Sequence, residues 1–156
     1  MREEPEKFAA EVVGKVLESW AIKAELESQV EESEGEQAVV LKIKTEEPGF
    51  IIGYHGQTLK DLEFITNLIV YRKLGEWNRV ILDVGDYREK RKEFLETLAQ
   101  RTAERVKSLG EPVALSPLPG NERRIVHLYL KNDPGVVTES VGEGDRRKVV
   151  VKPAGA

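Results

Sequence analysis

A chain of 156 residues, 40% hydrophobic and 33% charged, is long enough for one ordinary domain or two small ones and can bury about 70% of its unfolded surface. It has no cysteine, which excludes disulfides, zinc fingers and thiol chemistry and favours a reducing compartment. The net charge of −4 argues against purely electrostatic coating of DNA. That average hides an asymmetry: residues 1–47 hold six basic and thirteen acidic side chains, net −7, and residues 48–156 hold eighteen and fifteen, net +3. The distribution, more than the sum, is the electrostatic footprint a partner meets.

The start, Met1-Arg2-Glu3-Glu4-Pro5-Glu6-Lys7, has no apolar stretch behind a basic region and does not read as a signal peptide. No run approaches the roughly 20 apolar residues of a membrane span, so no membrane insertion and a cytoplasmic location are expected. Phe8, Val12, Val13, Val16 and Leu17 recur at three- and four-residue spacing and predict an amphipathic helix over 6–19, closed by Trp20 as a core residue. Ile22, Ala24, Leu26 and Val30 alternate with polar residues, as in a half-buried strand. Glu31 to Glu36 is a polar turn, and Ala38 to Lys44 a second strand, so the pair is an antiparallel hairpin.

Pro48-Gly49-Phe50-Ile51-Ile52-Gly53-Tyr54-His55-Gly56 is a short apolar turn with two glycines. Leu59, Leu62, Ile65 and Ile69, widened by Phe64 and Leu68, then predict a buried helical stripe that runs to Lys73 and stops at Gly75. Val80 to Val84 is a third strand. A long helix covers 87–109 with Phe94, Leu95, Leu98, Thr102 and Val106 inward. Pro112 to Leu115 is a short strand, 121–131 a helix broken by Asp133-Pro134-Gly135, and Val136 to Val141 with Arg147 to Val151 a closing hairpin. The boundary between two rigidly packed α+β domains falls near Gly85-Asp86, giving residues 1–85 and 86–156.

Ile51-Ile52-Gly53-Tyr54-His55-Gly56 lies between helical segments in the order α-β-β-α-α-β. Glycines there allow a tight turn and remove Cβ atoms from the path of a sugar–phosphate backbone, while amides at the start of the next helix favour an anion. A bare G-x-x-G is weak and reads equally as a helix–helix turn. With the preceding Ile-Ile and that element order, it resembles the loop of a type II (prokaryotic) KH domain, which clamps about four nucleotides of single-stranded nucleic acid. The expected contacts are Ile52, Gly53, Tyr54, His55, Gly56 and Lys60, one turn on. Tyr54-His55 stands where such loops usually carry Lys or Arg.

Asn121-Glu122-Arg123-Arg124-Ile125-Val126-His127 puts Arg123 and His127 on one helix face. An arginine forks onto phosphate, and a histidine donates to phosphate or stacks on a base. The plainer alternative is a surface arginine beside a histidine held by local hydrogen bonds. Arg88, Arg91 and Lys92 near the domain junction, with Arg124, are further candidate contacts to an RNA backbone, against the plainer reading of a solvated helix face. Trp77 reads as packing at the sheet edge. Thr138-Glu139-Ser140 with Glu143 and Asp145 reads as a polar turn rather than a cation site. Two histidines and scattered carboxylates offer no nucleophile–base pair and no metal spacing, so catalytic residues, metal and cofactor are all expected to be absent.

Gly53-x-x-Gly56-Gln57-Thr58-Leu59, Asp83-Val84-x-x-Tyr87-Arg88, Glu122-Arg123-Arg124-x-Val126-His127 and Asp133-Pro134-Gly135-Val136-Val137-Thr138-Glu139-Ser140 follow one another along nearly the whole chain. In this the chain resembles the bacterial Jag family, the SpoIIIJ-associated or KhpB-type RNA-binding proteins. The resemblance implies a type II KH domain followed by a small α/β domain named for its Arg-x3-His motif, with Arg123 and His127 at the motif positions. It implies a binder of single-stranded RNA, with single-stranded DNA as a further ligand, acting as a post-transcriptional regulator or RNA chaperone. It also makes plausible an adaptor whose KH surface pairs with another small KH protein or with itself. The extra N-terminal domain and basic linker that the family often has are not in this sequence.

Overall fold

The computed structural model describes residues 4–33 and 35–155; Met1 to Glu3, which open the expected leaderless start, Glu34 of the expected turn, and Ala156 lie outside them. The fold is mixed α and β, and the chain divides into two compact units, Met1–Arg88 and Glu89–Ala156.

The first unit runs α1 (Pro5–Ser19), β1 (Ala24–Ser33), β2 (Glu36–Thr45), α2 (Pro48–Ile52), a 3-10 turn (Tyr54–Gly56), α3 (Gln57–Leu74) and β3 (Arg79–Val84). Its sheet has the order β1-β2-β3, with β1 antiparallel to β2 and β2 parallel to β3. The parallel step is possible because α2 and α3 supply the crossover between β2 and β3. Pro5 opens α1, where its missing amide costs nothing, and Ala9, Val12, Val13 and Leu17 face the core. The helix ends by wrapping back: the Ile22 amide donates to the Leu17 carbonyl at 2.9 Å, with Ala21 at φ +58° in the left-handed slot that glycine usually fills. Leu41, Ile43, Ile51, Leu59, Val70, Val80 and Leu82 complete the core.

Three sequence expectations change here. Glu31 and Glu32 belong to β1, paired with Ala38 and Gln37, because the antiparallel ladder continues to Ser33. Trp20 is 43% exposed instead of buried, since the chain reverses just beyond it. The apolar stripe Phe64, Ile65, Leu68 and Ile69 faces outward, with Phe64 64% exposed; α3 buries Leu59, Leu62, Thr66, Asn67 and Val70 instead. The polar pair is satisfied inside. Thr66 donates to the Leu62 carbonyl at 2.7 Å, and Asn67 closes a two-way contact with Val80, accepting its amide at 2.9 Å and donating to its carbonyl at 2.8 Å. Glu63 accepts the Leu82 amide at 2.8 Å, and Arg88 Nε donates to the Leu82 carbonyl at 3.1 Å.

The second unit holds most of α4 (Tyr87–Leu109), then β4 (Val113–Ala114), α5 (Gly120–Leu130), β5 (Val136–Val141) and β6 (Lys148–Pro153), in a sheet of order β4-β6-β5. Leu95, Ala99, Ala103 and Val106 of α4 meet Val126 and Leu130 of α5 over Val149 and Val151 of β6. Phe94, expected inward, is instead exposed, with the Arg91 guanidinium 5.1 Å over its ring. Among the described residues no helix is long and apolar enough to cross a membrane.

Candidate nucleic-acid interface

The turn between α2 and α3 is made by two glycines that the chain needs for its own packing. At Gly53 (φ +69°) a Cβ would lie 2.0 Å from Thr58 Oγ1, and at Gly56 (φ +76°) 2.9 Å from Tyr87 Cε1. The room that sequence reasoning reserved for a sugar–phosphate backbone is thus filled in part by Thr58 and Tyr87. Between the glycines His55 also takes a left-handed conformation (φ +51°), rare for a residue with a side chain. Tyr54 packs edge-on against the His55 ring, centroids 4.1 Å apart, and is 83% exposed. The tyrosine face is thereby held out toward solvent.

α3 begins directly after Gly56 with no capping side chain, so the amides of its first turn remain open to an anion. Lys60 is exposed on that helix. Gln57 donates to Asp61 at 2.8 Å, which orients the first turn but adds a carboxylate near it. Ile51 is fully buried and Ile52 half-buried against the core. Only Ile52 therefore offers apolar surface beside the turn.

In the second unit, α5 carries both motif residues. Arg123 turns back toward the start of α5, its Nε donating to the Leu118 carbonyl at 3.1 Å. His127 is held through both ring nitrogens, Nδ1 2.6 Å from Thr138 Oγ1 and Nε2 2.8 Å from Ser140 Oγ. Thr138 and Ser140 lie two apart on β5 and so share one face of the strand. Burial first, and the Arg123 charge second, lower the His127 pKa from its ordinary 6.5. The ring is neutral at pH 7, donating to one hydroxyl and accepting from the other. Its place is structural support beneath Arg123, not an open cation.

Arg91 forks onto Glu122, Nε to Oε1 at 2.8 Å and Nη2 to Oε2 at 3.0 Å, with Glu122 3% exposed. Sequence reading placed Arg91 on an RNA path and gave Glu122 no role; the structure commits them to each other. Arg88 is similarly engaged, donating to Glu63 Oε2 at 2.5 Å. Lys92 reaches only a weak partner, Glu96 at 4.0 Å. Arg124 is exposed and makes no ion pair or hydrogen bond among the described residues, so of the candidate backbone contacts it is the most open. Trp77 is also exposed rather than packed away. Among the described residues no cluster of His, Asp or Glu has the makings of a metal site.

The family model of the R-x3-H domain matches residues 93–153, a span that contains Arg123, Arg124 and His127. Proteins named RNA-binding protein KhpB are similar over most of this chain. That of Clostridium symbiosum is 40% identical over 131 residues, 84% of this chain and 59% of the relative. That of Bacillus subtilis (strain 168) is 36% identical over 126 residues, 80% and 61%. That of Streptococcus pneumoniae serotype 2 (strain D39 / NCTC 7466) is 35% identical over 127 residues, 81% and 39%. The chain thus spans about two fifths to three fifths of the length of these relatives.

Proposed function

We propose, from the premise that this chain belongs to the Jag (KhpB-type) family, that it binds single-stranded RNA without chemistry of its own. In this reading residues 1–85 are a type II KH domain and residues 86–156 an R-x3-H domain, the protein being a cytoplasmic RNA chaperone or post-transcriptional regulator. The observation that carries the reading is the R-x3-H domain match over 93–153, inside which Arg123 and Arg124 keep guanidinium N–H groups for phosphate. The α-β-β-α-α-β order of the first unit, with an uncapped helix start directly after Gly53-Tyr54-His55-Gly56, supports a first contact there. Amides of α3 would take a phosphate, and the outward Tyr54 ring would stack on a base. Lys60 adds positive charge, while Arg88 and Arg91 are left out because carboxylates hold them.

The test is a titration of labelled single-stranded RNA at two salt concentrations, with an equal-length duplex as competitor. Binding that weakens with salt and is displaced poorly by duplex is expected. Failure to bind single strands, or equal competition by duplex, overturns the reading.

A second reading is favoured by the outward face of α3. Phe64, Ile65, Leu68 and Ile69 expose an apolar stripe of the kind that marks a protein contact. It fits an adaptor in which the KH surface pairs with another KH domain, and it is compatible with RNA binding. Phe64→Glu should abolish any self-association seen by sedimentation while sparing the fold.

A further inference from the structure

A hollow of about 420 Å³ lies where the end of α1 meets α2 and the first turn of α3, lined by Trp20, Ala21, Ile22, Glu47, Phe50 and Thr58. Ile22 is buried and forms the floor. Trp20 and Phe50 stand at 43% and 72% exposure, unusual for the two largest apolar side chains of the neighbourhood. The bond from the Ile22 amide to the Leu17 carbonyl fixes the backbone on either side of Trp20. Thr58 is shared with the Gly53–Gly56 turn, its hydroxyl lying where a Cβ on Gly53 would be. The hollow is therefore continuous with the candidate clamp.

Aromatic faces accept any nucleobase by stacking. Glu47 adds a choice among them. It is exposed, and its carboxylate has no ion pair or hydrogen bond among the described residues. An ionised carboxylate only accepts, and it accepts best from two adjacent donors. Of the four RNA bases, guanine alone presents two N–H donors side by side on its Watson–Crick edge, N1–H and the 2-amino group. Adenine and cytosine offer an amine beside an acceptor, and uracil an N–H between two carbonyls. The surroundings also decide which part of a nucleotide enters. Residues 1–47 carry net −7, which repels phosphate and leaves the uncharged base as the fitting occupant.

We propose that this hollow is a base-binding subsite selective for an unpaired guanine that adjoins the segment held at the Gly53–Gly56 turn. The proposal rests on the RNA-binding reading and extends it to base preference. Trp20 and Phe50 supply the stacking surfaces, and Glu47 supplies the discrimination.

Trp20 and Trp77 are the two tryptophans of the chain, and Trp77 lines none of this hollow. In a Trp77→Phe protein Trp20 is the sole indole reporter. One arm titrates short oligouridylates carrying a single guanine at each position in turn, following Trp20 emission with unlabelled RNA and affinity by anisotropy with labelled RNA. A guanine at one register should quench Trp20 and bind about tenfold tighter than inosine there, which lacks the 2-amino donor. Glu47→Gln should erase that difference. A second arm titrates guanosine and adenosine alone; guanosine should quench Trp20 and adenosine should not. RNA that binds while Trp20 stays silent at every register, or guanine and inosine binding alike, overturns the subsite and leaves RNA binding standing. Quenching by guanosine without any RNA binding would sustain the subsite and overturn the wider reading. Silence in both arms overturns both.

Discussion

Arg91 and Glu122 meet in a two-pronged ion pair, 2.8 and 3.0 Å long, that ties α4 to the first turn of α5. Glu122 is almost wholly buried, so the pair is an internal cross-link, and it sits one residue before Arg123. Removing either side strands the other charge out of water. Arg91→Ala or Glu122→Ala should cost about 3 kcal/mol, and the double substitution clearly less than the sum of the two. Urea denaturation of the three variants checks this. Additive losses would mean that the pair is solvated and makes little contribution.

Gly53 is the second point of mechanical dependence. A side chain there would overlap Thr58 and would sit at φ +69°. Gly53→Ala should destabilise the protein by about 3 kcal/mol, combining left-handed strain with overpacking. Its melting temperature should fall whether or not RNA is present. A Gly53→Ala protein of unchanged stability that had lost RNA affinity would assign the glycine to the ligand instead.

Arg123 and Arg124 separate through salt dependence. Each phosphate contact to a single strand contributes about 0.7 to the slope of log K against log salt. Arg124→Ala should lower the slope by that amount with no change in melting temperature, since its side chain is exposed and without partners among the described residues. Arg123→Ala should lower the slope and also the melting temperature, because the Leu118 carbonyl loses its donor. Intact slopes in both variants would make the motif a packing feature alone.

His127 gives the pH signature. Its pKa is lowered in the folded protein, so between that value and the ordinary 6.5 the unfolded chain binds the extra proton. Stability is therefore highest above pH 6.5 and falls as pH drops through that window. Protonation would also break whichever bond the ring accepts from Thr138 or Ser140. Thermal melts from pH 7.5 to 5 should show the decline, and His127→Gln should remove part of it. The effect of His127 on RNA affinity should stay flat between pH 7.5 and 6.5, because the ring is neutral there.

Several of these features were legible in the amino-acid order and several were not. The strand of Val136 to Val141 and the helix over 87–109 follow from periodicity and from Gly110 and Gly142 at their ends. The buried side of α3 does not. Its sequence carries apolar residues around more than one face, and the choice is made by Asn67, whose amide matches the Val80 backbone in both directions. No periodicity reveals a polar residue satisfied by a strand 13 positions away. Likewise the spacing of Arg123 and His127 announced a shared face, while the role of the histidine depends on Thr138 and Ser140. Their i, i+2 spacing was visible, but nothing local joins them to α5. Glu122 could have been marked by its position in the first turn of that helix; its burial comes only from α4.

The contacts of Glu63, Asn67 and Arg88 with Val80 and Leu82 bear on how the protein behaves in a crowd of its own copies. A terminal strand is a template for another chain because its outward amides and carbonyls are unpaired. Here side chains from α3 and α4 have already taken those groups on β3, so no incoming strand can bond there without displacing them. The opposite edge, β1, is defended differently, by Glu25, Glu27, Glu31 and Glu32, whose like charges oppose edge-to-edge approach of two molecules. A three-stranded sheet with one end capped and the other charged resists growing into a fibre, and the chain can be concentrated without relying on a partner to hide its edges.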